Sequence, residues 1–283
     1  MFIILHKKQI YLLAILLCIA IIGLPLAAAT YFTVEDQGIK LPVLMYHHLL
    51  PKSSLLGKYV ITPDLFEQDL IYIKENGYET VTVRDLIQYV YNDGILPEKP
   101  IMITFDDGYR SVYEYAYPLL QKYGMRAMYN VVGDYTQQYS ENGDKNVNYA
   151  YITWEELSQI ATEDVLEIAS HSFDLHQNTG GRVGARKKSG ETWEAYTDVL
   201  KADDDKIRTA LARRGIKIDC FAFPFGAQNI ESDGIMKDLG YTATLSCEEK
   251  MNFINKNPQC LYHIRRYNRP YGTSTKEFFR KFQ

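Results

Sequence analysis

At residues 104–109 the chain reads T-F-D-D-G-Y, directly after the apolar run Ile101-Met102-Ile103, with Asp106 and Asp107 side by side. Burying one ionised carboxylate is costly, and two adjacent ones repel each other. Such a pair calls for something that neutralises it. Further groups able to share a site are His47 and His48 in P-V-L-M-Y-H-H-L (42–49), His171 and His176 in A-S-H-S-F-D-L-H (169–176), and the Pro224-Phe225-Gly226 turn that closes the apolar stretch around Cys220. One aspartate with two imidazoles is a common ligand set for a divalent metal, with positions left open for water. The second aspartate could stay ionised beside the cation and accept a proton from water. Adjacent strand residues point to opposite faces, but at a strand end the chain turns, and Gly108 permits the turn. Asp-Asp-Gly alone is more often a plain turn than a site. His48, as a strand-end histidine, is expected to be structural.

Groups so far apart in sequence must be gathered by the fold. Strands are expected over 42–49, 80–83, 101–107, 126–132, 165–172, 219–225, 242–247 and 261–267. Helices are expected between them: one capped by Thr62 with Pro63 in its first turn and ended by Asn76-Gly77, then 85–91, 111–123, one opened by the capping box at Thr153, 193–214, 229–239, and a short one capped by Ser274. Residues 133–148 and 179–190 read as loops. Strand–helix alternation implies an α/β fold with a parallel sheet, and seven or eight strands with single crossovers favour a (β/α) barrel. In such barrels chemistry gathers at the C-terminal ends of the strands, where all the groups above lie.

T-F-D-D-G-Y, then H-S-F-D-L-H, then F-P-F-G, in that order, resemble the polysaccharide deacetylases of carbohydrate esterase family 4, over roughly residue 41 to the C-terminus. The opening L-P-V-L-M-Y-H-H-L and the six-residue histidine motif most resemble the branch acting on exported poly-N-acetylglucosamine. The resemblance implies a distorted barrel of about seven parallel strands. It implies that Asp106 is the general base and that Asp107, His171 and His176 hold a divalent metal, usually zinc. The main-chain N–H of Phe225, after Pro224, would help stabilise the oxyanion, His47 would be the acid, and Tyr109 would stand beside the site. Such a metal polarises the acetamide carbonyl and acidifies water, while a histidine protonates the departing amine. The chain departs from the wider family twice. Where many members carry an arginine that orients the base, this chain has Ala222, and the usual tyrosine is Phe225. The wider family's acid histidine lies in a C-terminal L-x-H, which Leu261-Tyr262-His263 matches; His47 is preferred.

The expected function is therefore metal-dependent removal of N-acetyl groups from an N-acetylglucosamine polymer at the cell surface. Alternatives are peptidoglycan or chitin oligomers as substrate, an O-acetyl xylan esterase, and a non-catalytic glycan-binding protein on the same scaffold. The expected partner is an N-acetylated glycan polymer, met by a monomer. A net charge of −4, from 31 basic and 35 acidic residues, gives no basic excess for nucleic acid. Lys7 and Lys8 precede an uncharged apolar run over 10–29. Residues 1–30 are thus expected to be a secretory signal, cleaved after Ala27-Ala28-Ala29, or an uncleaved membrane anchor, with 31–283 as the exported catalytic domain. Cys247 and Cys260 could bridge a surface loop, though a chain this long does not need it. Asp203-Asp204-Asp205 reads as a solvated helix face. Among the 23 tyrosines, some could stack on sugar rings.

Overall fold

A computed structural model describes residues 38–282. The expected signal or anchor at 1–30, with Cys18, lies outside the described residues. In chain order the principal elements are β1 (Val43–Tyr46), α1 (Pro63–Glu75), α2 (Val83–Tyr91), β2 (Pro100–Phe105), α3 (Tyr117–Tyr123), β3 (Ala127–Val131), α4 (Gly133–Asn142), α5 (Trp154–Ile160), β4 (Leu166–Ser170), α6 (Trp193–Ala212), β5 (Cys220–Ala222), α7 (Ser232–Asp238), β6 (Ala243–Leu245), β7 (Tyr267–Asn268) and α8 (Thr275–Phe279).

The seven strands form one parallel sheet in the order β6-β5-β4-β3-β2-β1-β7, with the two-residue strand Glu79–Thr80 added along β2. Every residue of β1, β2 and β3 is buried, as expected when helices cover a parallel sheet. The sheet curls as a distorted barrel. Its two edges are linked by one stretch of chain: Ile264 exchanges main-chain hydrogen bonds with Thr244 and Ser246 beside β6, while Tyr267 and Asn268 pair with Leu44 and Met45 of β1. Arg266 sits within that stretch.

The helices follow local sequence signals. The Thr62 hydroxyl accepts from the Leu65 N–H and Pro63 opens α1, whose Phe66, Leu70 and Ile73 are buried; each such side chain contributes about 1.5–3 kcal/mol. Thr153 and Glu156 form the expected capping box of α5.

Several expectations change. Residues 133–142 form α4 rather than loop, because the N–H groups of Gly133 and Asp134 find the carbonyls of Ser172 and Phe173. The stretch 111–123 is not one helix: a π-helical turn, Val112–Ala116, precedes α3. The expected strand 261–267 gives way to a 3-10 turn (Pro258–Leu261) and the short β7. Asp203 and Asp204 are buried, not solvated, because each has hydrogen-bond donors waiting for it. Cys247 and Cys260 are free thiols. In 179–190, the loop starts with a small antiparallel ladder between Asn178–Thr179 and Arg182–Val183. Among the described residues no helix is long and apolar enough to cross a membrane.

Candidate active site

At the end of β2 the backbone turns immediately, with Asp107 at φ 70 and Gly108 at φ 78. An aspartate in the left-handed region is uncommon but tolerated. That turn breaks strand alternation and brings both carboxylates to one cavity of about 420 Å³, which His47, Tyr109, His171, His176 and Phe225 also line.

Asp107 Oδ1 lies 3.0 Å from His176 Nε2 and 3.5 Å from His171 Nε2, and the three donor atoms are within 4.8 Å of one another. His171 is held by its other nitrogen: Nδ1 is 2.8 Å from the Ala222 carbonyl. A neutral imidazole that donates there presents Nε2 as an acceptor. An acceptor facing a carboxylate needs a proton or a cation between them, so this donor set fits a divalent metal. The Tyr135 hydroxyl donates to the His176 carbonyl at 3.1 Å and lies 3.4 Å from its Nδ1.

Asp106 is 2% exposed. Its Oδ1 accepts from Asn130 Nδ2 at 2.6 Å and Arg266 Nη1 at 2.7 Å, and its Oδ2 from Arg266 Nη2 at 2.9 Å. Burial pushes this carboxyl up, but Arg266 and the imidazoles of His171 and His47 outweigh it and hold it well below the usual carboxylate range. With one donor, Oδ2 keeps lone-pair capacity toward the cavity. The charge that holds Asp106 thus comes from Arg266, in the stretch that leads into β7, and not from position 222, where the chain has alanine. Sequence reasoning missed Arg266 and Asn130; neither belongs to a motif, and the only signal was three arginines, Arg265, Arg266 and Arg269, close to the last strand.

His47 lines the same cavity, and its Nδ1 is buried with no hydrogen-bond partner among the described residues. Burial lowers its pKa, against the upward pull of Asp107 and Asp106. His263 lies elsewhere, with Nε2 3.2 Å from Glu248 and Nδ1 3.7 Å from Asp233, and it does not line the cavity. His48 is tied to Ser111 Oγ at 2.7 Å and to the Asn148 carbonyl at 3.0 Å. Tyr109 is sandwiched by His48 at 4.3 Å and Tyr151 at 4.8 Å, so its faces are already covered.

Phe225 is half-exposed at the cavity, with its ring 4.4 Å from that of His176. Its φ of 59 is a genuine outlier for a bulky residue, of the strained kind that clusters at functional sites. Pro224 is buried beneath it. The turn is backed by Gly184, where a Cβ would lie 2.4 Å from the Pro224 carbonyl oxygen.

The sequence profile of the family described as polysaccharide deacetylase matches residues 93–244. A poly-beta-1,6-N-acetyl-D-glucosamine N-deacetylase of Escherichia coli K12 is 28% identical over 225 residues, covering 72% of this chain but 33% of that protein, so the chain spans about a third of that relative. The protein of the same name from Staphylococcus aureus is 25% identical over 211 residues, 74% of this chain and 69% of that one. The solved structure of IcaB from Ammonifex degensii superposes with a TM-score of 0.67 at 26% identity, covering 83% of this chain and 94% of that chain.

Proposed function

Since the chain belongs to the polysaccharide deacetylase family, we propose that it is an exported, metal-dependent hydrolase that removes N-acetyl groups from a poly-N-acetylglucosamine-type polymer. One observation carries the reading: an aspartate and two imidazoles converge at metal-ligand spacing beside a second, separately held aspartate, in one cavity. The names of the Escherichia coli and Staphylococcus aureus relatives support the substrate class. The basic and then apolar start of the sequence supports export, with residues 1–30 as signal or anchor.

Asp107, His171 and His176 would hold the ion, zinc by the chemistry of its donors. When bound, it supplies Lewis acidity to the acetamide carbonyl and to water. Arg266 and Asn130 fix the Asp106 carboxylate and keep it ionised, at some cost in basicity. Asp106 Oδ2, with capacity to spare, accepts the proton of the attacking water. The main-chain N–H of Phe225 stands by the developing oxyanion, where a preorganised donor contributes about 3–4 kcal/mol. His47 gives a proton to the leaving amine, which departs poorly as an anion. Its lowered pKa makes it a stronger acid when protonated, but less often protonated. The products are acetate and a glucosamine amine.

The test is acetate release from poly-N-acetylglucosamine, chitin oligomers, peptidoglycan and acetylxylan, with metal stripped by chelator and then restored. Release from the first substrate that stops on chelation and returns with zinc is expected. Release that ignores the chelator contradicts the metal reading. Release from acetylxylan alone makes the protein an esterase. Glycan binding without turnover makes it a binding protein.

A further inference from the structure

Helix α6 carries Asp203-Asp204-Asp205, which the chemistry above does not use. Asp203 is buried, and its two oxygens grip consecutive peptide groups: Oδ2 accepts from the Phe173 N–H and Oδ1 from the Asp174 N–H, both at 2.7 Å. Phe173 and Asp174 lie between His171 and His176. An ionised carboxylate is acceptor-only with two oxygens, and charge-assisted bonds of this kind are the strong ones. On the other side, the Ser172 and Phe173 carbonyls accept from Gly133 and Asp134 at the start of α4. Ser172 itself lies at φ 72, a conformation a serine does not choose unaided. The ligand loop is therefore shaped from outside.

We propose that Asp203 is the positioning residue that fixes the spacing of His171 and His176, and so sets the affinity of the site for its divalent cation. This rests on the ligand assignment above. Two imidazoles on an irregular loop have no helix or strand to hold them apart. A loop ordered beforehand spares the ion the entropy of ordering it, and partners outside the ligand shell commonly change metal affinity 10- to 100-fold. Asp204 offers a matched control. It is equally buried on the same helix, but its carboxylate takes the Tyr241 hydroxyl at 2.5 Å and Arg208 Nε at 2.8 Å.

The experiment measures zinc affinity of the stripped full-length chain by competition with a chromophoric chelator, with thermal melts alongside. Asp203→Asn is expected to weaken zinc about 10- to 100-fold. Asp204→Asn is expected to lower the melting temperature yet keep wild-type affinity. Wild-type affinity in Asp203→Asn, or equal weakening in both variants, overturns the proposal. A wild type that takes up no zinc overturns the ligand assignment itself, a distinguishable failure. Should Asp203→Asn not fold, Asp203→Glu keeps both acceptors at a shifted reach: intermediate weakening is expected, and undiminished affinity overturns the proposal.

Discussion

Arg266 closes on Asp106 with hydrogen bonds of 2.7 and 2.9 Å across 160 positions of sequence, and both side chains are buried. Removing one partner of such a pair strands the other charge and costs about 3–5 kcal/mol. Arg266→Met should therefore lose acetate release and about that much stability in denaturant melts. Adding Asp106→Asn should recover part of the stability and none of the activity. A single variant as stable as wild type would show that the pair does not hold this seam together.

If His47 is the acid, as proposed, it separates amide from ester chemistry. An amine leaves poorly without a proton and an acetate ester's alcohol leaves more easily, so His47→Gln should cut amide turnover about 10²–10⁴-fold and ester turnover much less. Paired rates on an N-acetylated glycan and an O-acetylated one decide it. Equal losses on both would remove His47 as the acid and favour a binding role.

Asp203 gives stability a pH dependence. Burial pushes its carboxyl up to about 6, although the N–H groups of Phe173 and Asp174 and the Lys206 charge pull it down and Asp174 adds to the rise. A raised acid pKa means that the native state holds a proton the unfolded chain has released. This contribution is fully present below the ordinary aspartate pKa and is lost as pH rises through about 6. Melts of wild type and Asp203→Asn between about pH 4 and 6 should differ in slope, with the variant flatter. Parallel curves would assign the slope to other groups.

Gly184 supports the turn under Phe225. At φ 53, with the Pro224 carbonyl oxygen 2.4 Å from where a Cβ would sit, Gly184→Ala combines backbone strain with a clash against backbone. A loss of about 1–3 kcal/mol is expected, together with reduced turnover, because the strained Phe225 peptide would move. Unchanged kcat at unchanged stability would uncouple this loop from the site.

Much of the fold was legible because its signals are local. Capping at Thr62 and Thr153, the apolar runs of β2 and β3, and their alternation with helices depend on near neighbours. Helix α4 was not legible: its polar sequence lacks an apolar stripe, and its first N–H groups depend on the carbonyls of Ser172 and Phe173. Asp203 and Asp204 read as a charged surface because their partners, the 173–174 peptides and Tyr241, are far away in the chain.

By itself the sequence determined the chemistry on offer: an Asp-Asp pair at a strand end, two histidines five residues apart, and a Pro-Phe-Gly turn. Residue type and short spacing are enough for that. Only the tertiary structure decided which charge holds Asp106, which histidine shares its cavity, and what shapes the loop from His171 to His176. Arg265, Arg266 and Arg269 look alike in sequence, yet Arg269 is spent on the buried Asp69 at 2.7 and 3.0 Å and Arg265 on the exposed Glu248. The physical reason is that a buried charge is settled by whichever opposite charge the fold carries to it, and that depends on how the two edges of the sheet are joined rather than on any local pattern.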